Sequence, residues 1–134
     1  MIYTTYFAKI KDLPKNIIPI SIAAKPPKEF NGLQYKKLAP KYNFFMQWKE
    51  THDNNYYIKC FNEQVLDELN VKQVIRELDD ILIYNTTNIN YTTDSIFVPH
   101  IALVCYEKPE DFCHRHLVAD WLNQNGYQCE EYVY

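Results

Sequence analysis

Residues 101–105, Ile-Ala-Leu-Val-Cys, form an unbroken apolar run, and this restricts the possible folds more than any other stretch of the chain. Five residues are too few for a buried helix and suit a strand. The lack of alternation means that neither face meets water, the condition of a parallel strand covered on both sides. Phe112, Leu117, Val118, Trp121 and Leu122 follow at helical spacing, Gly126 supplies a C-terminal cap, and residues 127–134 read as a last strand. Strand, helix, strand is a βαβ unit. It predicts an α/β fold in which residues 1–134 make a single domain, a small mostly parallel sheet flanked by helices.

The remaining segments fit that frame. Residues 2–7 and 17–24 are rich in β-branched and aromatic side chains and read as strands, separated by the turn signal Leu13-Pro14-Lys15-Asn16. Pro26 and Pro27 then force a loop. From Pro40, the spacing of Tyr42, Phe45, Met46 and Lys49 predicts a helix with an aromatic inner face. Tyr57, Ile58, Phe61, Val65, Leu66 and Leu69 predict another, stopped at Asn70. Asn70 and Gln73 resemble a capping box for a third helix striped by Val74, Ile75, Leu78, Ile81 and Leu82. Residues 85–95 are polar and aperiodic and read as a mobile surface loop.

Composition mainly excludes. At 47% apolar and 23% charged the chain is globular. Tyr, Asn and Lys are abundant against only two Arg, a drift towards AT-rich codons, so their number is no sign of binding. The longest apolar run near the middle is far shorter than the roughly 20 residues of a membrane span. Met1-Ile2-Tyr3-Thr4 lacks the opening of a secretory signal, and Cys60, Cys105, Cys113 and Cys129 form no C-x-x-C pair. Reduced thiols in a cytoplasm are therefore expected, which makes the Asn85-Thr86-Thr87 and Asn90-Tyr91-Thr92 glycosylation patterns chance matches. With Gly32 and Gly126 the only glycines, no dinucleotide-binding or phosphate-binding glycine loop can be written. The serine-hydrolase elbow and zinc-protease helix motifs are missing as well. Residues 1–49 hold nine lysines against two acids and residues 50–134 hold five bases against fifteen acids. That is either a basic face for an anionic partner or two faces of one fold attracting each other.

Chemistry concentrates between residues 105 and 115. In an open parallel sheet, ligands bind beyond the carboxyl ends of the strands, where the next helices present their N-termini. Cys113 precedes Leu117 by four residues, and His114 precedes Leu117 by three and Val118 by four, so both sit above the buried stripe, facing Glu107. Arg115 flanks that face, and His116, aligned with Asp120 and Asn123, is expected in solvent. A helix N-terminus attracts anions. Arg115 is suited to gripping a phosphate or carboxylate, Glu107 to acting as base or nucleophile, His114 to passing protons near neutral pH, and Cys113 to nucleophilic attack. Across the crevice, Lys25 and Ser21 end the second strand and complete the substrate-binding set. The competing structural readings make Cys113 and Cys105 core residues, His114 a packed histidine, and Glu107 with Arg115 an inward salt bridge.

Two alternatives use other chemistry. Cys105, Cys113, His114 and His116 are all zinc-ligand types, although His114 and His116 diverge by about 200° on a helix and the spacing is not that of a zinc knuckle; no metal ligand is assigned. The stretch 25–49 interleaves six lysines with Phe30, Tyr35, Tyr42, Phe44, Phe45 and Trp48, a pattern suited to single-stranded nucleic acid or to core rings under outward lysines.

Cys105-Tyr106-Glu107-Lys108-Pro109 followed by Cys113-His114-Arg115-His116-Leu117 resembles the carboxy-terminal signature of the family called domain of unknown function 488. Ser21-Ile22-Ala23, Pro26, Pro27, Phe30, Gly32, Tyr35 and Leu38-Ala39-Pro40 are similar to the amino-terminal block of one branch of it. The resemblance implies a compact α/β domain whose two blocks form one crevice, and it implies no reaction. Ala24 and Lys25 stand where members often carry an arginine. The expected function is thus a small cytoplasmic enzyme acting on an anionic, phosphate-bearing or nucleotide-like molecule. A nucleic-acid-binding module and a Cys/His metal-binding protein are the alternatives.

Overall fold

Among the described residues, five strands, β1 (Ile2–Tyr6), β2 (Ile17–Ser21), β3 (Leu33–Gln34), β4 (His100–Cys105) and β5 (Cys129–Glu131), lie in one sheet in the order β3-β2-β4-β1-β5. All four pairings are parallel. These features come from a computed structural model, which describes residues 1–86 and 98–134. The predicted α/β class is the one observed. β4 sits mid-sheet with all of residues 101–105 buried, as its unbroken apolar run requires. Ile2 pairs with Ile101 on one side of it and Ile18 on the other.

Among the described residues, four α-helices accompany the sheet: α1 (Tyr42–Thr51), α2 (Asn54–Phe61), α3 (Val71–Thr86) and α4 (His114–Gln124). His52, in the left-handed region at φ 52°, ends α1, and the Asp53 side chain caps α2 by accepting from Tyr56 N–H. The predicted helix over residues 57–69 is interrupted. After Phe61 the backbone widens into a π turn over Asn62–Leu66, with Asp67 N–H donating to Asn62 C=O, which still turns Val65 and Leu66 inward. Asn70 caps α3 through Gln73 N–H, as its spacing predicts. Asn85 and Thr86 of the predicted polar loop belong to the last turn of α3; the rest of that loop lies outside the described residues. One core joins sheet and helices through Ile20, Ile22, Phe44, Phe61, Leu78, Leu103, Val118 and Leu122. Among the described residues, no helix is long and apolar enough to cross a membrane.

β2 and β5 are several residues shorter than predicted, each for a visible reason. β2 ends at Ser21 because its Oγ accepts from Ala23 N–H and turns the chain away from the sheet. β5 begins only at Cys129, whose N–H and C=O are both held by the Asn123 side chain at 3.0 and 2.8 Å. Gly126, at φ 87°, makes the reversal between α4 and β5 that its position suggested.

Candidate functional site

The strand order creates the crevice. β2 and β4 are neighbours, but the chain leaves β2 towards β3 at one edge and leaves β4 through α4 towards β5 at the other. Connections that diverge from adjacent parallel strands open a cleft at their carboxyl ends. A cavity of about 460 Å³ lies there, lined by residues 23–25 after β2, Pro40, Phe45 and Lys49 around α1, residues 105–107 after β4, and His114 at the start of α4. The Tyr106 hydroxyl donates to Lys25 C=O and ties the two strand ends together.

Of the predicted residues, Glu107, His114 and Lys25 line this cavity. Cys113 lies just behind, facing a small space of about 20 Å³ that it shares with Glu107, His114, Phe45, Trp48, Tyr57 and Phe112. Cys113 is not in the first helical turn. It is the N-cap, with φ −153° and ψ 143°, and this extended backbone swings its side chain over the end of β4. There Cys113 and Cys105 are joined through their sulfurs, with Cα atoms 7.4 Å apart. The expectation of four reduced thiols is corrected for this pair, and so is Cys113 as a free nucleophile; Cys60 and Cys129 are free and buried.

Arg115 also departs from its expected role. It is fully buried, and Nε and Nη2 form a two-pronged pair with Glu131 at 2.9 and 3.0 Å. Nη1 donates to Glu107 C=O at 2.6 Å and to Cys105 Sγ at 3.1 Å. A guanidinium has five N–H groups, so this one is committed to the fold and is not open to a substrate anion. It does make an inward salt bridge, with Glu131 in place of Glu107. Thr4 Oγ1 donates to the same Glu131 carboxylate at 2.7 Å. Ser21, equally buried and engaged with Ala23, is a turn residue and does not line the cavity.

His114 is 7% exposed, and its Nε2 lies 2.7 Å from Ile22 C=O. A carbonyl only accepts, so Nε2 carries the hydrogen and Nδ1 keeps a lone pair, 3.9 Å from Cys113 Sγ. Burial, aided by Arg115 and His116 and opposed by the Ile22 hydrogen bond, lowers its pKa to about 4. Proton shuttling near neutral pH, expected of His114, is therefore corrected: the ring is neutral there. His116 is half-buried and not in solvent, and its buried Nε2 has no hydrogen-bond partner among the described residues.

The 25–49 stretch divides. Tyr35 and Phe44 are core residues, Tyr35 and Lys37 both donate to Glu77 of α3, and Trp48 packs against Tyr57 and Phe112. Only Phe45 and Lys49 of its helix reach the crevice. Glu131 was not singled out by sequence reasoning, and Lys49 was read only as a helix position and as one of the lysines of the 25–49 stretch. Lys49 is one helical turn from Phe45, with Nζ 4.9 Å from its ring centre, a signal that could have paired them.

Set against family models, curated proteins and solved structures, the chain finds no match in any of the three, so the resemblance to domain of unknown function 488 rests on the quoted residues alone.

Proposed function

We propose that the crevice is the reaction site of a small cytoplasmic enzyme for a phosphate-bearing or nucleotide-like substrate. Lys25 and Lys49 meet the anion, and Glu107 transfers protons. The supporting observation is the cavity itself: about 460 Å³, with two lysines and one carboxylate on walls otherwise formed by Ala, Pro, Phe, Tyr, Cys105 and His114. Small-ligand sites are usually about 300–1,000 Å³, mostly apolar, with a few converging polar groups. Phe45 and Tyr106 contribute rings to the walls, and both lysines are exposed enough to turn towards a phosphate. Neutral His114 contributes shape and a lone pair, not charge.

Calorimetric titration with adenosine monophosphate and with pyrophosphate at low salt tests this reading. Saturable binding that weakens with salt is expected. Each lysine–phosphate contact contributes about 1 kcal/mol, so replacing Lys25 and Lys49 together by alanine should weaken binding by roughly 30-fold. Equal binding by that double variant, or no saturable binding of either probe to the parent, would sink the reading.

A further inference from the structure

We propose that Cys105 and Cys113, once reduced, form with His114 Nδ1 a binding site for a thiophilic divalent cation of the zinc class. The two sulfurs and a ring nitrogen of His114 lie within 4.8 Å of one another, and all three residues are buried. Two come from the helix start and one from the end of β4, so the sheet and α4 hold the set rigid from both sides.

Three further observations favour an ion. A histidine that binds metal through one ring nitrogen usually donates the other N–H to a carbonyl or carboxylate, which fixes the tautomer and aims the lone pair. Ile22 C=O does this for Nε2 at 2.7 Å and leaves Nδ1 on the sulfur side. Arg115 Nη1 is directed at Cys105 Sγ at 3.1 Å, a donor that an anionic thiolate uses far better than a disulfide sulfur, and the guanidinium charge is balanced by Glu131. Finally, Cα atoms 7.4 Å apart stand wider than the roughly 4.4–6.8 Å usual for a disulfide. Two thiolates sharing one ion at about 2.3 Å each need that wider stance.

Three protein ligands leave a fourth position, the arrangement of zinc sites that do chemistry. Glu107 Oε2 is 3.9 Å from Cys105 Sγ, and its residue lines both the small space beside Cys113 and the larger crevice. It is placed to complete the shell or to take a proton from a water in that position. Two thiolates neutralise a divalent ion, and the remaining charged groups nearby are Glu107, Arg115 with Glu131, and Lys25 and Lys49 across the cavity. Loading the site first requires an external dithiol, which gives two electrons and two protons to the sulfur–sulfur bond and is itself oxidised to its disulfide; the cation then displaces the two thiol protons into the buffer. The site does not depend on the anion reading. A chain that takes the ion but no phosphate keeps this site and loses that function.

Cobalt titration tests it. Protein reduced with dithiothreitol, freed of reductant and stripped with a chelator under argon should bind one Co²⁺ per chain, with a thiolate-to-cobalt charge-transfer band that Zn²⁺ abolishes. Cys113→Ser and His114→Asn should each weaken binding more than about tenfold, whereas Cys60→Ala should leave it unchanged. Should either site variant fail to fold, the parent re-oxidised to the Cys105–Cys113 disulfide serves instead and should bind none. The proposal is overturned if the reduced parent takes up no stoichiometric cobalt, or if Cys113→Ser or the disulfide form gives the same band and affinity.

Discussion

Replacing Arg115 by methionine should cost about 3 kcal/mol of folding stability, read as a fall in the urea midpoint with little change in slope. Methionine keeps most of the stem's bulk, so the loss reports the guanidinium. Without it, the Glu131 carboxylate loses both prongs of its partner and Glu107 C=O loses a donor at 2.6 Å. Breaking a buried pair by removing one partner usually costs about 3–5 kcal/mol. The lower end applies because the Glu131 side chain retains 24% of its exposure. A domain of this size is typically stable by about 5–15 kcal/mol, so the variant should be folded but visibly weakened. Arg115→Lys should recover less than half, since an ammonium cannot span both carboxylate oxygens. Removing Glu131 as well, in an Arg115→Met, Glu131→Leu double variant, should restore part of the loss. A loss below about 1 kcal/mol in the single variant would mean that the guanidinium does not pin β5 to α4.

Acid should weaken the fold through His114. Its pKa is lowered to about 4 in the folded chain, against 6.5 for the free side chain, with burial the leading cause. The unfolded chain therefore takes up the proton first as pH falls. The stability linked to this group is fully present above pH 6.5 and is lost progressively down to pH 4, a difference of about 3 kcal/mol. Chemical denaturation of chelator-treated protein from pH 7.5 to pH 4 should show this decline. His114→Gln, whose amide has no proton to gain, should flatten most of it. An equally steep decline in that variant would place the acid sensitivity elsewhere.

The strand β4 and the helix α4 were legible because their signals are local: an apolar run without alternation, then apolar residues at threes and fours. The position of the crevice was legible for the same reason, since it follows from where a parallel strand ends. The roles of its residues were less so. Helical spacing treats Cys113 as part of α4, but it is the extended cap, and its backbone angles carry its sulfur to Cys105. Spacing also puts Arg115 on the flank of the helix. Its partner Glu131 lies sixteen residues further on, in a strand whose register against Thr4 is set by the sheet and not by its own residues. A buried and an exposed arginine look alike in sequence. Ser21 was read as part of the strand end facing the crevice, whereas its hydroxyl is turned onto the chain's own backbone.

The crevice between β2 and β4 as the binding site is tested most directly by mapping where a ligand lands. In ¹H–¹⁵N spectra titrated with adenosine monophosphate, amides of residues 23–25, 105–107 and Lys49 should shift together and saturate with one affinity. Lys36, Lys37 and Tyr42, in the same basic stretch but off the cavity walls, should stay in place. Shifts that run along Lys36, Lys37 and Tyr42 while the strand ends remain still would contradict the assignment of this crevice.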